Sequence, residues 1–140
     1  MAVLLPDGTP MVTRVAFGLG PEGHPLTLVS SLSKHTSALT ANPACSLLIG
    51  ETKDRGDPLN QPRLTLQANA RFLSHTAPEY EKMAAHYLRD HPKAKLYISF
   101  ADFSFALFQI KSGHLNGGFG KAFTLTPADL LQPNMTGEPR

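Results

Sequence analysis

"VSSLSKHTSALTANP", residues 29–43, reads as the end of a strand, a tight turn and a short helix that stops at Asn42-Pro43. Ser33 stands where a helix N-cap belongs, and a residue preceding proline is held out of the helical region, so the helix is expected from Ser33 to about Ala41. The first turn behind Ser33 carries Lys34 and His35, although the helix macrodipole already puts partial positive charge at that end. An anion would turn this misfit into attraction. The helix start exposes unpaired N–H groups, Ser30, Ser31 and Ser33 add hydroxyls, and Lys34 and His35 add charge. A phosphate suits such a place. The competing reading leaves Lys34 and His35 pointing into solvent, at a cost on the order of a few tenths of a kcal/mol each.

Outward from this stretch the chain is a series of short strands. "AVLL" (2–5) precedes a hairpin signal with Asp7-Gly8 at its tip, and "MVTRVAFGL" (11–19) reads as one strand. Alternation puts Val12, Arg14 and Ala16 on one face of it, and Met11, Thr13, Val15 and Phe17 on the other. "GPEGHP" (20–25) turns the chain into "LTLVSS" (26–31), and "ACSLLIG" (44–50) follows the helix as another strand. "ETKDRGDPLNQP" (51–62) reads as an exposed loop, and "RLTLQANARFLS" (63–74) as a long strand bending around a barrel. Thr76 and Glu79 make a capping-box pattern before "APEYEKMAAHYLRDH". Tyr80, Met83, Ala84, Tyr87 and Leu88 form its apolar stripe.

"PKAKLYISF" (92–100) fits either a second short helix or a helical turn leading into a strand. "FSFALFQIK" (103–111) and "HLNGGFGKAFTL" (114–125) read as strands, the latter around a glycine cluster, and "TPADLL" (126–131) as a capped terminal turn. The expected fold is mainly β (α+β), an antiparallel barrel with peripheral helices, with one domain over 1–131 and a tail over 132–140.

Composition narrows the function classes. The 140 residues, 41% hydrophobic and 17% charged, suffice for a real core in one domain. A formal charge of +2 is too small to argue for nucleic acid. The single cysteine, Cys45, excludes an intramolecular disulfide and a cysteine-based zinc site, and fits a reducing, cytoplasmic setting. No apolar run approaches the roughly 20 residues of a membrane span. The opening residues lack the basic and apolar regions of a signal peptide and read as a strand entering a turn.

The histidines His24, His35, His75, His86, His91 and His114 form no metal-like spacing, so no metal site is expected. A single axial haem ligand needs no spacing partner and stays open. "NGGFGKA" (116–122) lacks both phosphate-loop patterns and reads as a bulge or bend. No GxSxG nucleophile motif is present. Arg14 interrupts an apolar strand and Arg63 opens another. Each fits a solvated edge, or the two could converge with Lys34 and His35 around one anion.

The order of motifs "GTPMVTRVAFGL", "PLTLVSSLSKHTSALTANPACSLLIGE" and "PRLTLQANARF" resembles the FMN-binding split barrel of the pyridoxamine 5'-phosphate oxidase-related superfamily. The later "FADFSFALFQI" and "LNGGFGKAFTLTPADL" are similar to its haem-utilisation branch, and the likeness covers about residues 2 to 131. The resemblance implies a six-stranded split barrel that forms a homodimer, with an FMN in each of two interface clefts.

Carried over by position, Lys34 and His35 fall where the oxidases have an Arg-Lys pair on the phosphate, and Ser30-Ser31 where residues line the flavin. Gapless counting puts Thr13 at the place of an early-strand arginine and Arg14 one residue later, on the opposite face. Arg63 is near a glutamine that contacts the flavin ring. The implied cofactor set is Thr13, Arg14, Val15, Ser30, Ser31, Ser33, Lys34, His35 and Arg63. The implied activity is flavin-dependent oxidoreduction of an unknown small-molecule substrate, with no catalytic residue named. The chain has no tryptophan and no Arg-x-His, which argues against pyridoxamine phosphate oxidation itself. The alternatives are a haem-binding or haem-degrading protein on the same barrel, although no histidine follows His114 to act as a C-terminal axial ligand, or a non-catalytic dimeric module.

Overall fold

A computed structural model describes residues 1–131, and the tail expected at 132–140 lies outside the described residues. Eight strands carry the fold. They are β1 (Ala2–Leu4), β2 (Pro10–Val12), β3 (Gly18–Leu19), β4 (Pro25–Ser30), β5 (Ala44–Ile49), β6 (Arg63–Ser74), β7 (Phe103–Asn116) and β8 (Ala122–Leu125). Three α-helices accompany them, α1 (Lys34–Ala41), α2 (Tyr80–Asp90) and α3 (Pro127–Leu131), with short 3-10 turns at Pro58–Asn60 and Pro92–Leu96. The second of these turns settles the open reading of 92–100 as a helical turn leading into β7.

All strand pairs are antiparallel, in the order β2-β1-β5-β6-β7-β4-β3, with β8 added to β7. This corrects the six-stranded expectation: among the described residues there are eight strands, and their hydrogen-bonded sheet is not closed. The cause lies in residues 10–19. Residues 11–19 were expected to form one strand, yet only the two ends of this run join ladders, β2 on β1 and β3 on β4. The two outer members of the sheet therefore belong to one run of chain, and residues 13–17 bridge them covalently without a ladder of their own. An open antiparallel sheet whose edges are joined this way is consistent with a split barrel. The alternation in this run is real all the same, since Val12, Arg14 and Ala16 are exposed while Met11, Thr13, Val15 and Phe17 are half-buried.

β6 and β7 pair along their whole lengths, with a bulge between Gln67 and Ala68 that leaves Lys111 as the extra residue on β7. Without the bulge, strict period-2 alternation from Ile110 would turn Ser112 inward. With it, buried Gly113 faces Leu66, and a Cβ at Gly113 would stand 2.9 Å from Leu130 Cδ1 of α3. Gly50 closes β5 at φ +134°, a conformation that disfavours any side chain, and a Cβ there would meet the Pro62 carbonyl oxygen at 2.7 Å.

The sheet buries apolar side chains on both faces. Val3, Val29, Leu39, Leu47, Leu66, Phe108 and Ile110 share the cluster that α1 covers. Leu26, Leu73 and Phe105 form a second cluster with Tyr80 and Tyr87 of α2 and with Ile98. Phe105 is wholly buried, and its ring meets Tyr80 at 5.1 Å and Tyr87 at 5.4 Å.

The stripe read for α2 holds, but its expected capping box does not form. The helix begins at Tyr80, Glu79 is its N-cap with no side-chain bond, and the Thr76 hydroxyl is engaged with Ser74 at 3.0 Å. At the other end the Thr126 and Asp129 side chains do bond reciprocally to each other's backbone, capping α3.

The Tyr80 hydroxyl donates to the Ile98 carbonyl at 2.6 Å inside the second cluster. Tyr80→Phe keeps the ring and orphans that carbonyl, so it should destabilise the fold by about 1–2 kcal/mol in urea unfolding.

Candidate functional site

α1 begins as its sequence suggests, with Ser33 extended at φ −81°, ψ 138° as N-cap and no acidic residue in the first turn. The Ser33 hydroxyl, however, makes no capping bond. Its carbonyl accepts from Thr36 N–H at 3.0 Å and Ser37 N–H at 3.3 Å, while the N–H groups of Lys34 and His35 have no acceptor among the described residues. Two donors and an uncommitted hydroxyl thus face outward at the positive end of a helix. Lys34 is exposed and His35 half-buried.

The turn before α1 is held from β7. Ser30 Oγ donates to Asp102 Oδ2 at 2.6 Å and accepts from Leu32 N–H at 3.1 Å, while Ser31 N–H donates to the Asp102 carbonyl at 2.7 Å. Ser30 is therefore committed to shaping the turn, and exposed Ser31 keeps a free side chain. Asp102 sits immediately before β7 and acts here as a positioning residue.

The early strand and the helix start meet at Met1. The Met1 ammonium donates to the Thr13 carbonyl at 2.8 Å, and Thr13 N–H returns a bond to the Met1 carbonyl at 2.9 Å. The same ammonium is close enough to act on His35. Thr13 and Val15 face inward, Val15 packing on the barrel core, and exposed Arg14 is the residue of this segment free to reach an anion. Lys34 lies near the β1–β2 hairpin, where its charge helps to hold the Asp7 carboxyl low, after the larger effect of the Thr9 hydrogen bonds.

Arg63 does not join this group within one chain. Its guanidinium donates to the Leu59 carbonyl at 2.9 Å and the Gln61 carbonyl at 3.3 Å. It is paired with Asn116 at one end of β7, whereas Ser30 is paired with Phe103 at the other. At about 3.3 Å per residue those ends are roughly 40 Å apart along the strand.

Two features escaped the sequence reading. Leu32, Leu96 and Phe100 are exposed, and the Phe103 ring meets Tyr97 tilted at 5.0 Å and Phe100 edge-on at 6.4 Å, an aromatic cluster that follows Asp102 in the chain. The aromatic density of "LYISFADFSF" was its signal. The second is a cleft of about 570 Å³ beside α2, which none of the expected site residues lines. Its residues come from separate parts of the chain and leave no local pattern. Among the described residues, no group of three or more His, Cys, Asp or Glu is placed to hold a metal ion. Burial pushes the Cys45 thiol up to about 11, and its sulfur donates to the Ala68 carbonyl, so it is no nucleophile.

Burial first, and the Met1 ammonium second, hold His35 below the ordinary histidine value. The unfolded chain therefore binds a proton that the folded chain resists. The resulting stability is full above the ordinary histidine range and is lost as pH falls through the lowered folded value. Urea unfolding at pH about 7.5 and about 5 should show a smaller loss in His35→Gln than in the parent.

A family model described as "CREG, beta-barrel" matches residues 6–131. The chloroplastic heme oxygenase HOZ of Arabidopsis thaliana is 37% identical over 117 residues, which are 84% of this chain and 35% of that protein. The chain thus spans about a third of the length of this curated relative. A heme binding protein from Mycobacterium smegmatis superposes with a TM-score of 0.83 at 28% identity, covering 93% of this chain and 52% of the other. HutZ from Vibrio cholerae, described as a heme storage protein, gives 0.71 at 20% identity, covering 89% of this chain and 80% of its own, a likeness of fold alone. No helix among the described residues is long and apolar enough to cross a membrane. With the model matched from the first hairpin to α3, the chain belongs to the CREG β-barrel family.

Proposed function

We propose that this barrel binds FMN as a homodimer and serves a flavin-dependent oxidoreduction whose substrate is a small molecule, as in the pyridoxamine 5'-phosphate oxidase-related superfamily it resembles. The observation that carries the reading is the start of α1, with two unpartnered N–H groups, an uncapped serine and Lys34 in a first turn without acid. That donor set fits a phosphate dianion, Ser31 is exposed two residues before Ser33, and exposed Arg14 follows Thr13, whose carbonyl accepts from the Met1 ammonium. Bound FMN would supply hydride or electron chemistry, and the protein would supply position and charge. The separation of Arg63 from Ser30 within one chain fits a cleft shared by two subunits. Exposed Leu32, Leu96 and Phe100 near one set, and Leu59, Phe119 and Phe123 toward the other end of the sheet, supply apolar surface for such pairing. Residues 1–131 as one domain, a cytoplasmic setting, and independence from nucleic acid and membranes belong to the same reading.

Lys34→Ala with His35→Ala should weaken FMN binding about tenfold to about a hundredfold in a fluorescence titration, because contacts to a charged group are worth about 1.5–3 kcal/mol each. Unchanged affinity would reject the site. A bound phosphate favours the imidazolium, so the affinity gap between the parent and His35→Gln should widen as pH falls from about 8 to about 5.5. Sedimentation should give twice the chain mass.

A second reading, haem binding or breakdown on the same barrel, is favoured by the descriptions of the Arabidopsis and Mycobacterium relatives. Absorbance of protein purified without added cofactor separates the two, flavin bands for one and a Soret band for the other.

A further inference from the structure

β5, β6, β7 and β8 lie side by side, and their registers set Leu48, Thr65, His114 and Thr124 opposite one another in a row across the four strands. Residues directly opposite on antiparallel strands share a face, with Cβ atoms about 4.5–5.5 Å apart. Ser46, Gln67 and Ser112 make a second row on the same face. It is the outer face, because Leu47 and Leu66 alternate with these residues and join the inner cluster, and buried Gly113 precedes His114. The helices are committed elsewhere. Leu39 of α1 and Leu130 of α3 pack into the inner cluster, and Tyr80 and Tyr87 of α2 into the second. Leu48 is accordingly 68% exposed, and Gln67, His114 and Thr124 are exposed on the same face.

The chemistry of the face indicates what covers it. β1, β5, β6, β7 and β8 contain no aspartate and no glutamate. The two rows hold hydroxyls, an amide, an imidazole and one leucine, and depletion of charge is the compositional mark of an interface centre. Ser112 Oγ donates to Gln67 Oε1 at 2.9 Å and Ser46 Oγ to the Leu66 carbonyl at 2.9 Å, so both hydroxyls are turned to their own sheet. A face without a field of either sign gives no electrostatic attraction to a nucleic acid, an anionic membrane or a charged peptide. A second copy of the same neutral face does match it. Leu48 supplies apolar area, and a twofold axis sets the polar groups of one copy against those of the other.

We propose that two copies of this chain pack on the outer face of β5, β6, β7 and β8, with His114 inside the contact, so that protonation of His114 drives them apart. The inference deepens the homodimer of the proposed function and rests on it. His114 faces Thr65 and, one row away, Arg63 from β6, and Thr124 from β8, while Lys111 stands at the bulge of its own strand. The Arg63 guanidinium is already bound to the Leu59 and Gln61 carbonyls. The charged groups among these neighbours are both cations, so an imidazolium enclosed between two such faces meets no counter-ion on their strands. In the separated chain the same imidazolium is exposed to water. Separated chains therefore take up protons that the dimer resists. Association is complete above the histidine range and is lost as pH falls through it.

The test is the mass of the full chain by sedimentation equilibrium. The parent should be a dimer at pH about 8, and its dissociation constant should rise on the order of tenfold to a hundredfold by pH about 5.5, because each dimer that separates takes up two protons. His114→Gln should hold the dimer across that range. Leu48→Glu should be monomeric at the higher pH with its far-UV circular dichroism unchanged, since the side chain lies in solvent in the single chain. If Leu32→Glu separates the dimer and Leu48→Glu does not, this face is not the contact, although the homodimer reading stands. A pH dependence that survives in His114→Gln overturns the proposal. If the parent is monomeric throughout, the proposal and the homodimer reading fail together.

Discussion

The pairing of β6 with β7 is the constraint on which the rest of the molecule depends. Two long antiparallel strands present alternate side chains to opposite sides, so one ladder supplies the floor of both apolar clusters. Leu66, Ala68, Phe108 and Ile110 point to the barrel interior, and Leu73 and Phe105 point to α2. Every other strand on the sheet path is then placed by its distance from this pair, β5 and β1 to one side and β4 to the other. The bulge at Lys111 keeps the inner face apolar where a strict alternation would have turned Ser112 inward.

That dependence explains what the sequence disclosed and what it withheld. The strand over 63–74 and the helix ending before Asn42-Pro43 were legible because alternation and punctuation are local properties. The division of residues 10–19 into two ladder ends was not. Alternation reports which side chains are buried, and here it did so correctly, but a ladder also requires a neighbour that curves into reach. The Thr76–Glu79 pattern failed for a related reason: the Ser74 hydroxyl lies two residues away and takes Thr76 first.

The candidate sites divide in the same way. Lys34 and His35 were visible because their charge contradicts the helix that carries them, and a contradiction inside one turn can be read without a fold. The half-buried side of Val15 and the distance of Arg63 from Ser30 were not legible, because they depend on which side of a segment faces the core and on how far along a strand a residue lies. The cleft beside α2 was invisible, since its lining comes from the turn before β4, from β6, from β7 and from α2, and none of these stretches is unusual in its own neighbourhood.

The covalent bridge at 13–17 has a consequence for how such a barrel can change over generations. Ladder positions are shared commitments, in which altering one strand disturbs its neighbour. Arg14 stands on a segment that has two ladder ends but no ladder of its own, with its side chain in solvent. Replacing it touches no core contact and no strand pairing. Selection can therefore vary the charge and length of that side chain almost independently of folding, while the architecture stays fixed.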